Sequence, residues 1–123
     1  MKGMTTMQVM LLIYSNEAAW AALPEAEKGA AFGAYMAYSA ALKEAGAMVA
    51  GDPLLPSATA HTVRVRDGAP QVLDGPYAET KEQLAGYYLI EVADMQAALH
   101  WAARCPGAAH GIMEVRPIMP MPG

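Results

Sequence analysis

The chain has 123 residues, 54% of them hydrophobic and only 16% charged, with a formal net charge of -4. One domain with a sizeable core fits that length, although a partner subunit would add useful burial. The composition excludes a disordered chain, and scattered Lys and Arg under a negative net charge exclude a basic face for nucleic acid. The apolar excess points to area buried between subunits.

Cys105 is the single cysteine, so no internal disulfide forms and a reducing compartment is implied. It precedes Pro106 at an expected helix end and reads as a structural thiol. Met1-Lys2-Gly3 ahead of the apolar residues Val9 to Ile13 imitates a signal peptide. The run is too short, and no small-residue cleavage site follows it. No stretch approaches the length of a membrane span. The expectation is a cytoplasmic protein with no membrane partner.

Gln8 to Tyr14 is a continuous apolar run with branched and aromatic residues, which predicts a central strand. Ser15-Asn16 supplies a capping signal for a short helix from Glu17 to Trp20. Pro24, Glu25 and Glu27 open a longer helix. In that helix Phe32, Tyr35, Met36, Ser39 and Leu42 are expected to form the inward stripe. Gly46 terminates it. Gly51 to Ser57, with two prolines, reads as a loop.

From His61 to Arg66 the period becomes two, which predicts a half-exposed strand. Asp67-Gly68 is a strong hairpin signal, and the return strand Ala69 to Leu73 is an edge because of Pro70. Ala85 to Val92 is a second central strand. Asp94 caps a helix whose core face is Met95, Ala98, Leu99 and Ala102, and Pro106-Gly107 stop it. Gly111 to Ile118 is the last strand, so one domain covers residues 1–118. Residues 119–123 are a flexible tail.

The order is β-α-β-(β)-β-α-β with two buried strands. An α+β, ferredoxin-like βαββαβ protomer with an extra hairpin strand accounts for it with least strain. Its helices cover one sheet face, and a second subunit's sheet is the simplest cover for the other. A homodimer with the two sheets face to face is therefore expected.

A two-residue turn at Asp67-Gly68 fixes the hairpin register and places His61 opposite Asp74, on the face of Val63, Val65 and Val72. A histidine beside a carboxylate on a shielded face can act as a general base, because the carboxylate holds the tautomer and supports the imidazolium. The same pair equally serves to pin a strand end. Downstream, Asp74-Gly75-Pro76 has tight-turn chemistry, and Thr80 followed by Gln83 imitates a capping box for one helical turn over Glu79 to Gln83. Tyr77, Glu79, Lys81 and Glu82 cluster beside it. Glu79 and Lys81 are expected as an acid–cation pair at a cleft mouth, and Glu82 as a solvated charge.

His61, His100 and His110 lack metal-ligand spacing, and no phosphate loop or nucleophile elbow occurs. No metal and no cofactor is expected. Trp20 and Trp101 read as packing residues.

Three segments carry a resemblance to the DGPF group of YCII-related proteins. They are Val63-Arg64-Val65-Arg66-Asp67-Gly68, Asp74-Gly75-Pro76-Tyr77-Ala78-Glu79-Thr80-Lys81-Glu82-Gln83-Leu84 and Gly86-Tyr87-Tyr88-Leu89-Ile90-Glu91-Val92. Met10 to Tyr14, Trp101 to Pro106, Gly111 and Glu114 to Ile118 extend it over nearly the whole chain. The resemblance implies a dimeric α/β-barrel of ferredoxin-like protomers. YCII-like relatives carry a His–Asp pair regarded as an active-site candidate, and the superfamily resembles small-ring isomerases and lactone-processing enzymes. DGPF-type proteins are often encoded beside extracytoplasmic-function sigma factors. Two departures stand out: the group's usual Phe is Tyr77 here, and the position of His61 is more often Thr.

The leading expectation is a cofactor-free acid–base enzyme of isomerase or lyase type, with a small organic molecule as its ligand. Asp74 is its base, tuned by His61. Arg64 or Lys81 holds an anionic group, although alternation puts Arg64 on the face opposite Asp74. Tyr77 lines the pocket and Glu79 stands at its mouth. The alternative is a non-catalytic ligand-binding or regulatory module acting with a sigma factor. An enzyme should enclose a pocket reaching Asp74, whereas an adaptor should show an exposed apolar patch.

Overall fold

In β1 (Met7–Ser15), Val9, Leu11 and Ile13 lie buried while Met10, Leu12 and Tyr14 keep part of their exposure. A strand alternates its side chains between faces, so one face of β1 lies under packed structure and the other does not. The computed structural model describes residues 5–122. The signal-like start Met1-Lys2-Gly3 and the final Gly123 lie outside the described residues.

β1 sits beside β5 (Gln83–Val92) on one side and β6 (Ile112–Pro117) on the other, and β2 (Met48–Pro53) closes the sheet at the far edge of β5. All three pairings are antiparallel. The order β2-β5-β1-β6, with helices between β1 and β2 and between β5 and β6, makes an α+β fold compatible with the ferredoxin-like βαββαβ pattern. The two apolar runs do occupy the sheet centre. Among the described residues no helix is long and apolar enough to cross a membrane.

The second strand of this sheet is where sequence and structure part. His61–Arg66 reads as that strand and Gly51–Ser57 as a loop, yet Met48–Pro53 is the strand. An edge strand needs its backbone paired on one side only, so Pro53 at its last position is tolerated. Gly51 permits the approach to β5, because a Cβ there would lie 2.7 Å from Tyr88 Cδ1. β3 (His61–Arg66) and β4 (Ala69–Asp74) form a separate two-stranded sheet instead.

Asn16 caps α1 (Glu17–Ala21) by accepting the Ala19 N–H at 2.9 Å. α2 (Glu25–Glu44) follows Pro24 and ends in a left-handed Gly46, where Ala47 N–H reaches Leu42 O at 2.9 Å and Gly46 N–H reaches Lys43 O at 3.0 Å. The inward stripe is rotated from the expected one. Tyr38 and Leu42 are buried and Tyr35 is half-buried, whereas Phe32 (63%) and Met36 (70%) stand exposed. Tyr38 sets that rotation. Its ring meets Tyr88 edge-on at 5.2 Å and Trp101 at 6.0 Å, and its hydroxyl donates to Trp101 O at 2.6 Å.

α3 (Met95–Arg104) starts at Asp94, which accepts the Ala97 N–H at 2.8 Å, and buries Ala98 and Ala102 while Leu99 stays largely exposed. The Asp94-capped helix stops at Arg104, ahead of Pro106-Gly107, as expected. Pro106 then opens the short α4 (Pro106–His110), where a missing N–H costs nothing at the first position. Residues 119–122 carry no regular structure.

Candidate functional site

The β3–β4 hairpin turns through Asp67 and Gly68, at φ 52 and 77, which is the two-residue turn whose twist matches the strands. The register runs from Arg66 opposite Ala69 to His61 opposite Asp74, as alternation and turn length require. His61 Nδ1 lies 3.1 Å from Asp74 Oδ1. A carboxylate accepts, so the contact selects the neutral imidazole tautomer with the hydrogen on Nδ1, and in that tautomer Nε2 holds the lone pair.

The face bearing this pair is not shielded within one chain. His61 and Asp74 side chains are 65% and 92% exposed. Val63, Val65 and Val72 on the same face are 60%, 66% and 61% exposed. From His61 to Asp74 only Thr62 is part-buried, and the hairpin forms a two-stranded sheet separate from the main one.

The foot of the hairpin is anchored by backbone and hydroxyl groups. Gly75, in the left-handed region at φ 102, donates its N–H to Ala60 O at 2.7 Å, and Thr62 Oγ1 donates to Gly75 O at 2.9 Å. No helical turn forms over Glu79 to Gln83. Thr80 Oγ1 donates to Glu82 O, and Gln83 Nε2 donates to Thr80 O at 2.6 Å. Gln83 Oε1 accepts the Glu17 N–H at 3.0 Å, and Glu17 accepts the Ser57 N–H with both oxygens. The capping-box pattern thus serves to tie the loop to α1. Sequence reasoning missed Glu17, Ser57 and Thr62, and only Glu17, an acid in a first turn, carried any signal.

Two open grooves meet at Asp74. One, of about 190 Å³, is lined by Thr62, Arg64, Gln71, Leu73, Asp74, Pro76 and Tyr77. The other, of about 390 Å³, runs over Ser57, Ala58, Gly75, Ala78, Glu79, Thr80 and Gln83 as well as Asp74 and Pro76. The structure therefore brings Arg64 and Tyr77 to one side of Asp74 and Glu79 to the other. Tyr77 is 84% exposed. Lys81 lines neither groove, nor does His61. Glu79 and Lys81 make no ion pair with each other, because both side chains extend into solvent.

Elsewhere the chemistry is quiet. Among the described residues no group of three or more His, Cys, Asp and Glu is placed to hold a metal ion. Cys105 is buried, and that burial pushes its thiol up, away from the reactive thiolate. Residues 7–122 match the family model of the YCII-related domain. The chain belongs to the YCII-related family. It is also 36% identical, over 110 residues, to an uncharacterized protein of Rhizobium meliloti (strain 1021), covering 88% of this chain and 89% of that protein. The YCII-related match spans every element from β1 to β6, so hairpin and sheet belong to one family unit.

Proposed function

We propose that this YCII-related protein is a small cytoplasmic homodimer that performs acid–base chemistry, isomerisation or elimination, on a small organic molecule. The observation that carries the reading is the 3.1 Å contact between His61 Nδ1 and Asp74 Oδ1. It reassigns the proton-handling role within the pair. Asp74 lacks the sheltered cleft that would make a carboxylate a useful base, whereas Asp74 behind Nδ1 leaves His61 Nε2 as the acceptor. Nε2 takes a proton from a carbon acid, and the C–H electron pair becomes a C=C bond. In isomerisation the proton returns at another carbon; in elimination the leaving group departs with its bonding pair. Tyr77 borders a groove at Asp74, whereas Arg64 alternates to the hairpin face opposite His61 and is assigned no part in the proton transfer.

The dimer follows from the main sheet. Met10, Leu12, Tyr14, Tyr87 and Leu89 form an apolar face with no helix over it, and a second copy's sheet is a self-complementary cover. That is the DGPF-type barrel arrangement implied by the sequence resemblance.

A second reading is favoured by one observation. Val63, Val65 and Val72 form an exposed apolar patch, and one chain does not enclose Asp74, which is what a regulatory module acting with a sigma factor would show. Solvent exchange separates the two. Incubating a panel of small carbon acids with the protein in D₂O, and following deuterium incorporation by NMR, should show exchange. Exchange should be lost in His61→Ala and reduced roughly ten- to hundredfold in Asp74→Asn. Exchange that survives both substitutions, or none with any compound, sinks the acid–base reading.

A further inference from the structure

We propose that the outward face of α2 is a second self-association surface, on which α2 of another copy of this chain packs antiparallel across a twofold axis near Ala34. The inference goes beyond the homodimer reading and does not depend on it.

Phe32 and Met36 are 63% and 70% exposed, on the side of α2 opposite the buried Tyr38 and Leu42. At about 3.6 residues per turn, Glu25, Gly29, Phe32, Met36, Ala40 and Lys43 share that outward face. From Gly29 to Leu42 the helix carries no charged residue. A helix that faces water normally turns a charged face outward. Gly29 and Gly33 add an independent observation. Both stand exposed in the helix interior, where glycine is unfavourable relative to alanine, and a Cβ at either would meet nothing within 4 Å. Nothing in this chain calls for the missing side chains. The close approach of a second helix backbone does.

The charges say whose helix it is. The uncharged stretch is bounded on this face by Glu25, whose side chain is 93% exposed, and by Lys43 in the last turn. Glu25 has one loose ion pair, at 3.7 Å to Lys28, and Lys43 has none among the described residues. An antiparallel twofold near Ala34 sets Phe32 of one copy level with Met36 of the other. It sets Glu25 level with Lys43 on the same flank, and Glu44 on the other flank beside the uncharged Ala26. A parallel pair would instead set Glu25 on Glu25 and Lys43 on Lys43. The face is therefore self-complementary in one orientation, and the occupant is a second copy.

Size fixes the strength. A helix of 20 residues is about 30 Å long, so this contact falls short of the roughly 800 Å² per partner of a stable interface. α2 packs with Val9, Leu11 and Ile13, on the sheet side away from Met10, Leu12 and Tyr14. The helix contact and the sheet-to-sheet contact thus do not compete, and one chain can make both. The helix contact is the weaker.

Sedimentation of the full chain from micromolar to near-millimolar concentration tests this. The average mass should rise past that of the species present at dilution. Phe32→Glu with Met36→Glu should weaken the association on the order of a hundredfold. Circular dichroism should stay unchanged, because both side chains are exposed. Glu25→Lys should weaken it roughly threefold, and adding Lys43→Glu should restore it. Three results would each overturn the helix contact: a wild-type mass that never rises, as a foreign partner for this face would leave it; a rise that survives Phe32→Glu with Met36→Glu; or a charge reversal that Lys43→Glu does not rescue. The homodimer reading fails separately. A chain that is monomeric at dilution, and whose only dimer is lost in the Phe32 and Met36 variant, removes the sheet contact and leaves the α2 contact in place.

Discussion

Glu17 holds the backbone of Ser57: both carboxylate oxygens accept the Ser57 N–H, at 2.9 and 3.1 Å. The first turn of α1 is thereby joined to the segment just ahead of the hairpin. Gln83 completes the join by accepting the Glu17 N–H at 3.0 Å. Charged acceptors on backbone N–H groups are among the stronger single bonds a fold makes. Glu17→Ala should lower stability by about 1–2 kcal/mol, read as a Tm drop of roughly 5 °C. Hydrogen exchange should quicken at Ser57 and along β3 more than in β1. Uniform loss of protection would show that Glu17 supports the core and not the hairpin foot.

Stability should fall at alkaline pH, and the phenols say where. Burial pushes Tyr35 up to about 12, and Tyr38 and Tyr88 upward as well, with the nearby Cys105 adding to the rise. A folded-state value above the unfolded one means that the unfolded chain loses its proton first as pH rises. Stability is then complete below the unfolded value near 10 and declines as pH climbs toward 12. Thermal melts between pH 9 and 12 check this. Tyr35→Phe should flatten the decline, and a wild-type curve level across that window would contradict the burial account.

The legible parts of the fold are those governed by short-range patterns. Apolar runs marked β1 and β5 as central, Asn16 and Asp94 marked two helix starts, and Asp67-Gly68 fixed a register that placed His61 against Asp74 five residue pairs beyond the turn's flanking Arg66–Ala69 pair. What failed depended on tertiary partners. Met48–Pro53 carries two residues hostile to strands, Gly51 and Pro53, and becomes one because β5 offers an edge. The face of α2 is set by Tyr38 wedged between Tyr88 and Trp101, and no periodicity within the helix reports that. The exposure of the His61–Asp74 face was equally hidden, since alternation tells which residues share a face but not what covers it.

Gly111 joins α4 to β6 beside the Tyr14 backbone of β1. A Cβ there would collide with the Tyr14 carbonyl oxygen, which is backbone and cannot step aside. Gly111→Ala should therefore cost about 2–3 kcal/mol through displacement of β6 from β1. Denaturant unfolding should show a lower midpoint with an unchanged slope. A loss under about 0.5 kcal/mol would mean that β6 shifts without strain.

Cys105 should resist thiol reagents in the folded protein. It is 2% exposed, and desolvation raises its thiol, so both access and thiolate fraction are low. Reaction with a chromogenic disulfide at pH 8 should follow the rate of unfolding and accelerate in mild denaturant. Fast, denaturant-independent labelling would place the thiol at the surface.

Gly68 tests whether the hairpin folds apart from the body. Its φ of 77 is a conformation that L side chains rarely adopt, although a Cβ there meets open space. Gly68→Val, strained for that reason alone, should disfavour the turn by about 1–2 kcal/mol. The main sheet buries none of the hairpin's valines, so in a lone chain the penalty stays local. The global melt should move little while β3 and β4 amides lose protection. A Gly68→Val protein whose melt collapses would tie the hairpin to the core and contradict its separateness.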